Sequence, residues 1–198
     1  AISLRGKFNA REYSAIILPM IMIRRIECVL AAKREKYKKK IIEQNGSLSD
    51  ENIEELQQFD PEKAKEKRKE LQKRIKIQEK TKSDFHNTTN WTLRDIIEEG
   101  STQVETNFRE YLNGFSDNID DIIEKFDYRN MVSKMAKAHR LARIIRLVAE
   151  EDFGLERLSN LEMGYVYEHL LQKFSEDDVK GTGEHFTPRE IVRVMVEL

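Results

Sequence analysis

One cysteine, three prolines, eight glycines and one tryptophan are spread over 198 residues. The single thiol, Cys28, excludes an internal disulfide and fits a reducing cytoplasm. His86, His139, His169 and His185 keep no metal-ligand spacing with one another or with Cys28. There is no Gly-x-x-x-x-Gly-Lys phosphate loop and no serine or cysteine in a nucleophile motif. The longest apolar run, residues 16–23, is too short to cross a bilayer and contains Pro19. With no signal peptide in sight, no membrane association is expected. The net charge is only -1, so no global field draws in nucleic acid, and any such binding has to come from local patches. No β-strand pattern is long enough to name.

What the chain has instead is charge of both signs. Charged residues make up 36% and hydrophobic ones 39%, a helix-rich composition. The expectation is an all-α multi-helix bundle. Residues 1–12 lead into a first helix, with Asn9 three before Glu12 as its cap. From 13 to about 40 the pattern is helical, and Ile16, Ile17, Leu18, Met20, Ile21, Met22 and Ile23 leave almost no polar face, which means burial inside the bundle. Pro19 should kink that helix or lie close to its start. Arg24 and Arg25 follow where the helix reaches the surface. They read as a solvated rim, or else as a DNA or partner contact.

Residues 33–82 change character. A basic run at 33–40 gives way to an acidic stretch, with a turn at Asn45-Gly46-Ser47 and a new helix opened by Asp60-Pro61. From 62 to 82 the chain is rich in Lys, Arg and Glu, with only Ala64, Leu71, Ile75 and Ile77 apolar. That is too few for a coiled-coil seam. A solvent-exposed helix or helical hairpin is expected, its charges a solvated face or a DNA-backbone contact. Thr92 should cap a short helix over 93–98, and Trp91 should anchor a core rather than stack on a base.

Three amphipathic helices are expected after residue 101. Val104, Phe108, Tyr111, Leu112 and Phe115 line the first. Ile119, Ile122, Ile123 and Phe126 line the second, capped by Ser116. Met131, Met135, Ala138, Leu141, Ala142, Ile145 and Val148 line the third. The first two are acidic and the third is basic (Arg129, Lys134, Lys137, Arg140, Arg143, Arg146). Either these charges pair within the chain, the favoured reading, or the basic helix faces phosphate. Ser159-Asn160-Leu161-Glu162 is a capping box that starts a further helix. Its inward residues should be Met163, Val166, Tyr167, Leu170, Leu171 and Phe174, with His169 structural.

The last stretch, Gly183-Glu184-His185-Phe186-Thr187-Pro188-Arg189-Glu190, reads as a helix start suited to a ligand. Thr187 is the N-cap, Pro188 takes the first helical position, and Glu190 completes a capping box. A helix start offers unpaired N–H groups and the positive end of the dipole, which suit a carboxylate or phosphate. An ordinary capped helix on a core is the plain alternative. The apolar positions Ile191, Val194, Met195 and Leu198 run to the final residue with no C-cap, which predicts that the natural chain continues.

These words, with Asn160-Leu161-Glu162-Met163-Gly164-Tyr165-Val166-Tyr167-Glu168-His169-Leu170-Leu171 before them, resemble the start of the catalytic domain of type I restriction–modification DNA methyltransferase (M) subunits. Leu4-Arg5-Gly6-Lys7-Phe8, Ile17-Leu18-Pro19-Met20 with Arg24-Arg25-Ile26-Glu27-Cys28-Val29-Leu30, and Tyr111-Leu112-Asn113-Gly114-Phe115-Ser116 resemble earlier parts of that family, in family order. The resemblance implies an S-adenosyl-L-methionine-dependent N6-adenine DNA methyltransferase, site-specific and cytoplasmic. It implies a specificity subunit, a second modification subunit, a restriction (motor) subunit and double-stranded DNA as partners. The implied organisation is a helical N-terminal domain over 1–158, with 33–82 a charged helical insertion. Residues 159–198 open a Rossmann-like methyltransferase domain that is not itself included. Carried over residue by residue, the methyl donor would meet Glu184, His185, Phe186, Thr187, Pro188 and Arg189. The family often has Tyr where His185 stands. The Gly-containing turn that holds the donor and the Asn/Asp-Pro-Pro-aromatic tetrapeptide for the flipped adenine are absent. No catalytic residue is therefore expected in this segment, which alone should be inactive. A stand-alone helical module that binds protein or nucleic acid is the other reading.

Overall fold

A computed structural model describes residues 8, 10–98 and 103–178. The described residues are helical throughout, with no strand and a single antiparallel bridge between Asn87 and Phe115. The order is α1 (Ala10–Gln44), a 3-10 turn (Gly46–Leu48), α2 (Asp50–Phe59), α3 (Pro61–Lys82) and α4 (Leu93–Glu98). It continues through α5 (Val104–Asn113), α6 (Asp117–Lys125), α7 (Tyr128–Lys137), α8 (Leu141–Ala149) and α9 (Asn160–Asp178). Asn9, expected as the first cap, lies outside the described residues.

Helix α1 is the spine. At 1.5 Å per residue it is about 50 Å long, enough to pass through two separate cores. Its apolar half buries Ile16, Met20, Ile23 and Leu30 among Leu93, Ile96, Phe108, Leu112, Ile123, Tyr128, Met135 and Ile145. Pro19 lies well inside the helix rather than near its start. The charged half forms a second, smaller core in which Ile41 meets Leu48, Ile53, Ala64 and Leu71. The few apolar residues of 33–82 are thus enough to dock α2 and α3 as a hairpin on α1. The start signals act as their chemistry requires. The Asp60 carboxylate accepts the Lys63 N–H at 3.1 Å, with Pro61 in the first turn. Thr92 and Asp95 exchange both capping-box bonds, and so do Ser159 and Glu162.

Four local expectations need correction. The single third helix is two, α7 and α8. His139 takes φ 54°, its N–H bonds Ala136 O, and the Arg140 N–H bonds Met135 O at 2.9 Å. That is a Schellman stop made without glycine, so the sequence carries no break signal. Ser116 sits at the N-cap of α6, but its hydroxyl accepts the His86 N–H instead. On α9 only Met163 is buried. Val166, Tyr167, Leu170 and Phe174 are half-buried, and Leu171 is exposed because α9 packs on α1 along one edge. Phe126 is also exposed rather than in the core, since α6 ends at Lys125.

Candidate functional site

The donor-type residues Glu184, His185, Phe186, Thr187, Pro188 and Arg189 lie outside the described residues. The loop between α8 and α9, earlier in the sequence, and its seat on α1 lie among the described residues. Arg24 and Arg25 build that seat, so the expected solvated rim is instead a contact within the chain. Arg25, only 8% exposed, donates to Leu158 O at 2.7 Å, to Asn160 Oδ1 at 2.8 Å and to Phe153 O. Arg24 donates to Glu151 O at 2.8 Å and pairs with Glu27. An irregular loop leaves carbonyls unpaired, and the guanidinium has five donors in a rigid fork to meet them. From the far end of the same surface, Tyr167 donates its hydroxyl to Leu18 O at 3.2 Å.

Glu27 links this seat to the bundle. Its buried carboxylate accepts the Leu93 N–H at 2.7 Å, a free donor at the start of α4, and the Tyr111 hydroxyl at 3.1 Å. Burial first, and then the Glu27 carboxylate, hold the Tyr111 phenol well above its usual range. One glutamate thus ties α1, α4 and α5 together and hands charge on to Arg24.

A second network joins the hairpin to the bundle. Arg34 grips Glu79, which is 0% exposed, and Glu79 accepts the Asn87 N–H at 2.9 Å. The Asn87 side chain donates to Tyr111 O at 2.9 Å and accepts from the Thr89 N–H at 2.8 Å. Lys76 donates to the carbonyls of Asn87 and Thr89. Burial and the nearby Arg34 push its ammonium down to about 8. Gly114 is required here: a Cβ on it would meet Thr89 Cγ2 at 2.5 Å and Asn87 Oδ1 at 2.6 Å.

The expected pairing of acidic and basic helices is met only in part: one ion pair joins α7 to α6, another joins α7 to α1, a third stays within α5, and Lys137, Arg140, Arg143 and Arg146 make no ion pair among the described residues. Arg129 binds Asp120, Arg109 binds Glu105 at 2.8 Å, and Lys134 reaches Glu12 on α1 at 3.0 Å. Trp91 packs partly buried on the main core and shares a shallow cavity with Asn90, Asp95 and Glu98, whose acids oppose a nucleic-acid role. His169 is exposed, so it has no packing role. Among the described residues no cluster of three or more His, Cys, Asp or Glu is placed to hold a metal. No helix among them is long and apolar enough to cross a membrane. Sequence reasoning missed Glu27 and Asn87. The signal for Glu27 is an acid three residues after Arg24 on a helix otherwise buried.

The fold and this seat define a helical bundle with α9 and the loop before it docked on α1. Residues 1–148 match the HsdM N-terminal domain family, and the chain belongs to that family. Residues 159–198 match a second family, N-6 DNA Methylase. The two matches meet across the loop that Arg24 and Arg25 hold. The chain is 23% identical over 205 residues to the type I restriction enzyme MjaIX methylase subunit of Methanocaldococcus jannaschii, covering 100% of this chain and 33% of that protein. It therefore spans about a third of the length of that relative. In both family matches and in this relative, the chain is similar to parts of type I restriction–modification methylase subunits. No solved structure matches.

Proposed function

We propose that this chain is the front of an S-adenosyl-L-methionine-dependent, adenine-specific (N6) DNA methyltransferase subunit. The observation that carries this reading is the N-6 DNA Methylase match over 159–198, directly behind an HsdM N-terminal domain. A stand-alone helical binding module has no use for that second segment. In this reading 1–158 is the helical domain, which serves subunit assembly and DNA clamping beside a specificity subunit, a second modification subunit and a restriction (motor) subunit. Residues 159–198 begin the methyltransferase domain, and the protein works in the cytoplasm.

Residues 184–189 supply part of the methyl-donor site. Their chemistry fits the group: Thr187 and the free N–H groups of a helix start suit the donor's carboxylate, and Phe186 suits its apolar parts. The Arg25 seat fixes where α9 starts, and α9 ends at Asp178, six residues before Glu184 in the sequence. The remaining donor and adenine contacts belong to other parts of the full-length protein, so 1–198 alone binds donor weakly and transfers no methyl group. The test is methyl transfer from labelled S-adenosyl-L-methionine to duplex DNA by the full-length protein with its specificity subunit. Label recovered as N6-methyladenine supports the reading, and label on cytosine or no transfer overturns it.

A further inference from the structure

Helix α3 carries two kinds of charged face. On one, charges are spent within the chain: Lys63 pairs with Asp60 at 3.0 Å, and Glu70 is shared by Lys67 at 3.5 Å and Arg74 at 2.6 Å. On the other, Lys65, Lys69, Lys73, Lys76 and Lys80 follow at intervals of four, four, three and four residues. At 100° per residue they fall within about a quarter of the helix circumference. Lys65, Lys69, Lys73 and Lys80 are exposed and make no ion pair among the described residues. Only Lys76 is committed, to the carbonyls of Asn87 and Thr89. Like charges at i,i+4 oppose helix formation, a cost offset in part by Glu62, Glu66 and Glu70, each three residues before a stripe lysine. The helix holds it rigidly all the same. Ala64 and Leu71 are buried on the opposite flank, while Glu79 is buried at the edge of the stripe beside Lys76 and is engaged by Arg34.

We infer that the lysine stripe of α3 is a sequence-independent contact surface for the phosphate backbone of duplex DNA. The inference rests on the proposed action of the full-length protein on DNA and assigns one surface to it. From Lys65 to Lys80 the stripe rises about 22 Å, with a cation about every 4.5–6 Å. A DNA strand offers a phosphate about every 3.4 Å of axis, so a straight row of cations meets several phosphates at once. Lysine brings point charge without the bidentate fork that reads base edges, which suits positioning rather than sequence reading. The C-terminal end of the stripe runs into a cleft of about 190 Å3 lined by Lys73, Lys76, Lys80 and His86 together with Glu79, which Arg34 engages. An acidic protein partner would also answer to charge, but a straight row of four exposed lysines, bordered by Glu62 and Glu66 only in its first turn and with no apolar anchor beyond Ile77, fits a regular polyanion better.

The experiment measures binding of full-length protein, assembled with its specificity subunit, to a duplex lacking the recognition sequence over a range of salt concentrations. The variant carries Lys65→Gln, Lys69→Gln, Lys73→Gln and Lys80→Gln and leaves Lys76 in place. The slope of log affinity against log salt should become shallower by about 2–4, since each lost phosphate contact removes about 0.9. Affinity at low salt should drop at least about tenfold, while the same four positions changed to Arg should retain the wild-type slope. The double variant Lys69→Gln/Lys73→Gln, carrying half the change, serves if the fourfold one loses its helical circular dichroism. An unchanged slope with wild-type protein bound to DNA overturns the stripe and leaves the proposed function standing. Loss of subunit assembly with an unchanged slope assigns the stripe to a protein partner and overturns it too. Absence of any duplex binding by wild type overturns the stripe together with the DNA reading.

Discussion

Arg25 on α1 and Asn160 at the start of α9, 135 residues apart, share a 2.8 Å hydrogen bond between guanidinium and side-chain amide oxygen. The same guanidinium holds Leu158 O and Phe153 O, so one side chain fixes both the loop and the helix it leads into. Arg25→Ala leaves these acceptors unpaired in a largely buried seat. It should lower stability by about 3 kcal/mol, read as a shifted urea midpoint. Arg25→Lys should recover only a minor part, because an ammonium cannot span acceptors set out for a planar fork.

Glu27 and Tyr111 form the second test. Glu27→Ala strands the Leu93 N–H and the Tyr111 hydroxyl in the core and should cost about 3 kcal/mol. A double-mutant cycle of Glu27→Gln with Tyr111→Phe should return a coupling of about 1 kcal/mol, against about zero for Glu27→Gln with the distant Leu56→Ala. The pH sign follows from the raised phenol. The folded Tyr111 keeps its proton where the unfolded chain loses it, so its contribution is complete below pH ~10 and falls away as pH rises further. Tyr111→Phe should blunt that alkaline loss in a pH series of urea melts.

Gly114 is a packing test. Gly114→Ala drives a methyl group into Thr89 and Asn87 and should destabilise the fold by about 1–3 kcal/mol. Because its φ is -80°, backbone strain adds nothing. Gly114→Ala combined with Thr89→Ser, which removes the Cγ2 in the way, should therefore regain part of the loss in a thermal melt.

These three cases also mark what the sequence makes legible. Helix starts are local chemistry, so Asp60-Pro61, Thr92 with Asp95, and Ser159 with Glu162 could be read directly. The apolar half of α1 could be read the same way. The break at His139 could not, because a non-glycine residue in the left-handed region is chosen by packing and not by a local motif. Arg24 and Arg25 were misread for a related reason. Their partners are carbonyls of a loop more than 120 residues away, and no periodicity encodes that. The small core of Ile41, Leu48, Ile53, Ala64 and Leu71 was underestimated since five apolar residues suffice when α1 supplies one wall. Of the candidate donor site, 184–189, the motif and its family are legible, and the geometry lies outside the described residues.

Lys76 offers a spectroscopic check on the joint between hairpin and bundle. After reductive methylation, its 13C-methyl resonance should titrate near pH 8, well below the ordinary lysine value. The folded value lies below the unfolded one, so between about pH 8 and 10.4 the unfolded chain binds more protons, and this group makes stability rise with pH. Arg34→Gln removes one of the causes and should move the midpoint upward.

The most direct measurement is calorimetric titration of S-adenosyl-L-methionine into the natural full-length protein, alongside its Phe186→Ala/Thr187→Ala variant. The account predicts saturable one-site binding by the wild type and affinity at least about tenfold weaker in the variant, a loss of about 1.4 kcal/mol or more. Equal donor affinity in the two proteins, both folded by circular dichroism, would contradict the assignment of residues 184–189 to the methyl-donor site.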